Sequence, residues 1–215
     1  GIVHNLNNPL TTVSGRLQML QFKQPNLPYI EEINLLFGEV NDMISRFSQI
    51  NSLDIHEQPQ DADLKQTLAT LDFFLQAEST YKHYIEKDLQ MPESCRLRIH
   101  PDDLFEILLN LFQNAIDSMK EKEIQPKKIS FRYQVDNNQA CCILEDSGEG
   151  ISADLLEKIF DPGFSTREYN WEKHRFPRKG LGLYIARNLA EKAGGSLEIT
   201  NNEGAPGVKV TLRIP

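Results

Sequence analysis

Between Ile2 and Leu53 the apolar residues fall at helical spacing in two runs. The first is Ile2, Val3, Leu6, Leu10, Val13, Leu17 and Leu20; after the two prolines of "KQPNLP" the second runs through Ile30, Ile33, Leu36, Phe37, Val40, Ile44, Phe47, Ile50 and Leu53. Two helices joined by a short turn make an antiparallel hairpin with a single apolar seam. A hairpin of this kind cannot bury its seam alone, so the expected state is a homodimer in which two hairpins form a four-helix bundle. Packing of the hairpin on its own chain is the less favoured alternative, because the remaining residues read as a complete domain. Near the start, "HNLNNPL" places Pro9 inside the first helix. Proline has no N–H to bond the Asn5 carbonyl and its ring crowds it, so the helix is expected to loosen beside His4.

The polar, turn-rich stretch "DIHEQPQDAD", residues 54–63, marks a domain boundary. This gives a helical hairpin over 1–54 and a second domain over 61–215. In the second domain the pattern predicts a helix over 63–78, short strands near 84–89 and 96–99, and a helix from Pro101 to about Met119. Proline at the first helical position, with Asp102 and Asp103 in the first turn, supports that helix start. Strands fit "KKISFRYQV" and "QACCILED"; a helix fits "GLGLYIARNLAEKAG"; "GSLEITN" and "VKVTLRIP" read as a closing hairpin around "NEGAPG". The expected class is α+β: a sandwich with helices on one face of a mixed sheet.

Composition removes several function classes. The 215 residues carry a net charge of −8, which disfavours nucleic acid and anionic lipid as partners. No apolar run approaches the roughly 18 residues of a membrane span, and the sequence leads to no expectation of a secretory signal. Gly1 stands directly ahead of a helical pattern already under way, so the sequence is expected to be a piece of something longer. The three cysteines, Cys95, Cys141 and Cys142, have no metal-ligand spacing; buried, reduced thiols in a cytoplasmic protein are expected.

Four stretches of the second domain call for a ligand. On the helix "PDDLFEILLNLFQNAIDSM", Asn110 and Asn114 share a face, because four residues advance about 400°. Two buried amides satisfied by their neighbours is the bland reading; the Asn114 oxygen would also suit Mg²⁺. "EDSGEGI" ends a strand in a glycine turn where Asp146 offers an acceptor for an exocyclic amine. There Gly148 and Gly150, before Ile151, let a flat ring lie against bare backbone. "KGLGLYIARNLA" leads Lys179, Gly180, Leu181 and Gly182 into a helix whose exposed N–H groups suit phosphate. Between Phe160 and Gly180 lie 19 residues with no convincing element, carrying five basic against three acidic side chains. A loop of that length fits a mobile cover over a polyanion.

Each stretch alone is weak, but their order is not. Amide-bearing helix, Asp-Gly turn, "FDPGFSTR", long loop and "GLGL" helix resemble, in sequence and spacing, the N, G1, F and G2 boxes of sensor histidine kinases of two-component systems. "HNLNNPL" with its hairpin resembles their H box, and the resemblance covers nearly the whole chain. It implies a Bergerat-type ATP-binding sandwich of the GHKL superfamily behind a dimerisation and phosphotransfer hairpin. ATP and Mg²⁺ are the implied cofactors, and the receiver domain of a response regulator the implied partner. By position, Asn114 would hold Mg²⁺, Asn110 would lie near the phosphates, and Asp146 would read the adenine amine. Gly180 and Gly182 would cap the phosphates, and His4 would take the γ-phosphoryl group. Related ATPases of this superfamily have a glutamate where Asn110 stands; an amide cannot activate water, which favours transfer to a side chain over hydrolysis.

Three positions refine the expectation. The resembled family has Glu or Asp where Asn5 stands, to take the imidazole proton during transfer, so autophosphorylation should be slowed rather than lost. Asn8 lies one turn beyond His4, where relatives position the water that hydrolyses a phosphorylated regulator; retained phosphatase activity follows. Asp117 stands where many such kinases have lysine, which alters the phosphate contacts of that helix. The alternatives are a degenerate kinase acting as a phosphotransfer scaffold, and an ATPase of the chaperone or topoisomerase kind.

Overall fold

The structure, a computed structural model, describes residues 20, 61–90, 95–120, 126–136, 139–166 and 180–215. Apart from Leu20, which is helical, the expected hairpin over 1–54 lies outside the described residues, as do His4, Asn5, Asn8 and Lys179. The described elements belong to one compact unit drawn from His56–Ser165 and Lys179–Pro215.

In chain order they are β1 (Asp61–Asp63), α1 (Leu64–Leu75), α2 (Ser79–Tyr84), β2 (Glu86–Leu89), β3 (Arg96–Arg98), α3 (Pro101–Ser118), β4 (Lys128–Asp136), β5 (Gln139–Asp146), α4 (Gly182–Lys192), β6 (Ser196–Asn201) and β7 (Val208–Ile214). The main sheet has the order β2-β4-β5-β7-β6. Its β2–β4 pair is parallel and the other three pairs are antiparallel. A separate antiparallel pair, β1 with β3, sets Ala62 opposite Leu97. The α+β sandwich expected from the sequence is therefore present.

Periodicity decides which sheet face is covered. Ile129, Phe131, Leu144, Val210, Leu212 and Ile214 are all buried, and the register places Phe131 opposite Leu144 and Leu144 opposite Val210. Helix α3 buries Leu104, Ile107, Leu108, Leu111, Phe112, Ala115 and Ile116, and it packs on both β5 and α4. Phe112 meets Phe131 with ring centroids 6.1 Å apart. On the other face Glu145 pairs with Arg132 at 2.7 Å and Glu198 with Arg213 at 3.1 Å, exposed contacts worth about 0–1 kcal/mol each. Cys95, Cys141 and Cys142 are buried free thiols. No helix among the described residues is long and apolar enough to cross a membrane.

Two local expectations need correction. The helix foreseen over 63–78 begins at Leu64, because Asp63 is an extended N-cap whose carboxylate accepts from the Gln66 N–H at 3.0 Å. It ends at Leu75, and Glu78 caps a second short helix by accepting from the Thr80 N–H at 3.2 Å. The buried Tyr81 ties the two helices by donating to Asp72 at 2.7 Å. Residues 61–63, assigned to the boundary segment and helix start, form β1 because Ala62 finds a buried place beside β3.

Candidate functional site

Helix α3 starts where sequence chemistry says it should. His100 is the N-cap, its Nδ1 accepting from the Asp102 N–H at 3.3 Å; Pro101 is in the first turn, and Asp102 and Asp103 face the positive helix end. That start phases the helix so that its apolar stripe faces the sheet and the row Glu106, Asn110, Asn114, Ser118 lies beside it, half-buried. Asn110 donates to the Glu106 carbonyl at 2.9 Å and to its carboxylate at 3.0 Å. Among the described residues the Asn114 carboxamide makes no hydrogen bond, and it is left available to an incoming group.

The last residue of that row reaches the glycine turn after β5. Ser118 Oγ lies 2.8 Å from the Ala115 carbonyl and 3.3 Å from Asp146 Oδ1, and the same Oδ1 accepts from the Gly148 N–H at 2.8 Å. Asp146 is only 7% exposed. Burial pushes its carboxyl up to about 6, against the lowering effect of the hydrogen bonds from Gly148, Ser118 and Val208. Gly148 leaves room for this contact: a Cβ there would collide with Ser118 Oγ and stand 2.7 Å from Asp146 Oδ1. The turn therefore offers a desolvated carboxylate under bare backbone, a surface suited to a flat ring bearing an N–H donor. At its far end Gly150, with φ of 81°, passes Asn201, and Ile151 exchanges two hydrogen bonds with the Asn201 carboxamide, each 2.7 Å.

The second glycine turn converges on α3 from the other side. Gly180 has φ of 65°, and a Cβ would run into the Phe164 carbonyl, while its own carbonyl accepts from the Gly163 N–H at 3.2 Å. This joins "DPGF" to "GLGL". Leu181 is the N-cap of α4 and provides no side-chain cap, so the first-turn N–H groups of α4 are left for an anion. A Cβ at Gly182 would lie 2.8 Å from Asn110 Oδ1, so this glycine lets the α4 N-terminus touch the amide row. Phe160 is half-buried, with the Arg187 guanidinium 4.8 Å above its ring.

Three contacts, Asp146 with Ser118, Asn110 with Gly182, and Gly180 with Phe164, bring together the amide row, the two glycine turns and the start of the long loop; residues 167–179, the rest of the expected mobile cover, lie outside the described residues. Sequence reasoning missed Ser118, Asn201 and Asn202. Ser118 had a signal, since it continues the four-residue spacing of Asn110 and Asn114. The two asparagines had none stronger than their adjacency at a strand end.

Comparison with known proteins identifies a family for this unit. Residues 99–215 match the family described as histidine kinase-, DNA gyrase B-, and HSP90-like ATPase. The chain is 28% identical over 221 residues to the sensor histidine kinase ZraS of Escherichia coli O157:H7, covering 100% of the chain and 45% of that protein. Thus it spans less than half the length of the curated relatives it first matches. Among solved structures, full-length ShkA in complex with AMPPNP superposes with a TM-score of 0.75 at 19% identity, over 100% of this chain and 44% of that one. Histidine kinase ThkA in complex with the response regulator protein TrrA gives 0.60 at 22% identity, over 100% and 59%. The buried aspartate turn, the amide row and the uncapped glycine-led helix all fall within the matched residues 99–215, and the chain belongs to the histidine kinase-, DNA gyrase B-, and HSP90-like ATPase family.

Proposed function

We propose that the chain is the transmitter part of a two-component sensor histidine kinase, which binds MgATP in the described unit and phosphorylates His4. The observation that carries this reading is the meeting of Asn110 with Gly182 at the uncapped start of α4. It sets an amide, which cannot take a proton from water, beside the N–H groups best placed for the nucleotide's phosphates. Asp146 then receives the adenine amine, with Gly148, Gly150 and Ile151 forming the wall behind the ring. Asn114 supplies a neutral oxygen for Mg²⁺. Among the described residues no cluster of three His, Cys, Asp or Glu could hold a metal ion, so magnesium would arrive with the phosphates of the nucleotide.

In the transfer the γ-phosphorus exchanges the β–γ bridging oxygen for an imidazole nitrogen of His4, ADP leaves, and the ring proton passes to a base. His4 suits this step because an imidazole with a pKa near ~6.5 is mostly neutral at pH 7 and keeps a free lone pair. The hairpin over 1–54 serves as dimerisation and phosphotransfer element of a homodimer, and the unit over 61–215 as the catalytic domain. The receiver domain of a response regulator accepts the phosphoryl group, or is dephosphorylated with the help of Asn8. The ThkA–TrrA complex among the structural relatives supports such a partner. A cytoplasmic placement goes with this role.

Asn5 alone favours a second reading, a phosphotransfer scaffold without useful catalysis. Incubating the chain with γ-labelled ATP and Mg²⁺ separates the two: acid-labile phosphate is expected on the chain and none on His4→Gln. Label that survives His4→Gln, or no label in either, would refute His4 as acceptor.

A further inference from the structure

We propose that Asn201 and Asn202, at the end of β6, are positioning residues that hold the base-recognition turn and thereby set preference for adenine. Two adjacent carboxamides grip both ends of one turn, 50 and 56 residues away in sequence. Asn202 Nδ2 donates to the Asp146 carbonyl at 2.9 Å and to the Pro206 carbonyl at 2.9 Å, and the Asn202 N–H donates to the Gly207 carbonyl at 3.1 Å. Asn201 accepts from the Ile151 N–H and donates to the Ile151 carbonyl, both at 2.7 Å. The turn that carries Asp146, Gly148 and Gly150 is therefore fixed at its first and last residues by the β6–β7 connection.

The fit is close enough to transmit a change. Gly207 has φ of 106°, and a Cβ there would collide with the Asp146 carbonyl; a Cβ on Gly150 would stand 2.9 Å from Asn201 Oδ1. Asn202 Oδ1 is buried and has no hydrogen-bond partner. Its amide is turned so that the nitrogen, and not the oxygen, meets the Asp146 and Pro206 carbonyls, which identifies donation to those two groups as the role of the side chain. Removing a donor from either clip frees one end of the turn, and the Asp146 carboxylate then loses its fixed direction toward an exocyclic amine while the α3 and α4 groups stay in place.

This rests on the nucleotide reading given above, and the test separates the two. Asn202→Asp and Asn201→Asp keep size and remove the donor. MgATP, MgGTP and inorganic triphosphate are titrated into the 215-residue chain and both variants, at a temperature well below their melting points. ATP affinity is expected to fall about tenfold, toward that for GTP, with triphosphate affinity unchanged in each variant that melts cooperatively. ATP binding by the wild-type chain with an unaltered ATP-to-GTP ratio in both variants would overturn the proposal. So would an equal loss for all three ligands, which marks a merely structural role. No ATP binding by the wild-type chain would remove the nucleotide reading itself, and the proposal with it.

Discussion

Replacing Asp146 with Asn is expected to weaken MgATP binding by about 10²-fold and, in the same protein, to raise the melting temperature of the nucleotide-free chain at pH 8. Both effects have one source. The carboxyl is buried, which pushes its pKa up to about 6 from the ordinary value of 3.8, so between about pH 4 and pH 6 the folded state holds a proton there that the unfolded state has released. Stability from this group is fully present below about pH 4 and is lost as pH rises through about 6. Above that the folded domain carries the whole cost of a desolvated charge, about 3 kcal/mol by linkage. An amide avoids the charge but must still be buried, so a net gain of about 1–2 kcal/mol is expected, or roughly 3–6 °C for a domain of this size. At pH 4 the gain should vanish. Binding moves the other way, because the oxygen of the amide stays with the Gly148 N–H and Ser118, its NH2 then meets the purine amine donor against donor, and a site built for that hydrogen bond discriminates strongly against its loss. Melting curves at pH 4 and pH 8, with affinities at pH 8, check both halves. A variant that binds as the parent does would remove Asp146 from base recognition.

The second large effect concerns the proton that His4 would give up in the proposed transfer. Phosphoryl transfer leaves the imidazole cationic unless a neighbour accepts its proton, and Asn5 can accept a hydrogen bond but not the proton itself. Asn5→Glu should therefore raise the rate of autophosphorylation by about 10²-fold, within the usual range for general-base assistance, with nucleotide affinity unchanged. Initial rates of label incorporation at saturating MgATP measure it. Equal rates in parent and variant would show that proton removal does not limit this chain.

Much of the geometry of the candidate site could be read in the sequence, because its determinants are local. Helix α3 announces itself through Pro101, two first-turn acids and a regular apolar stripe, and a four-residue spacing on such a helix places Asn110 and Asn114 together without further information. The glycine turns are equally local: the bare backbone needed beside Asp146 and the left-handed conformation of Gly180 both demand glycine at fixed offsets. What escaped depends on contacts far apart in the chain. The clips from Asn201 to Ile151 and from Asn202 to Asp146 span 50 and 56 residues, and an Asn-Asn pair at a strand end reads as an ordinary turn until the partner strand is in place. β1 is three residues long and exists because Ala62 finds a covered place beside Leu97. The break between α1 and α2 turns on Glu78 capping the second helix, a choice that helical propensity alone does not make.

The central claim is that the convergence of Asp146, the α3 amide row and the start of α4 is a purine nucleotide site. Calorimetric titration of MgATP into the 215-residue chain at pH 8 tests it most directly. One nucleotide should bind per chain, with saturable heat and a much weaker response to MgGTP. A cooperatively folded chain that gives no heat with MgATP would contradict the account.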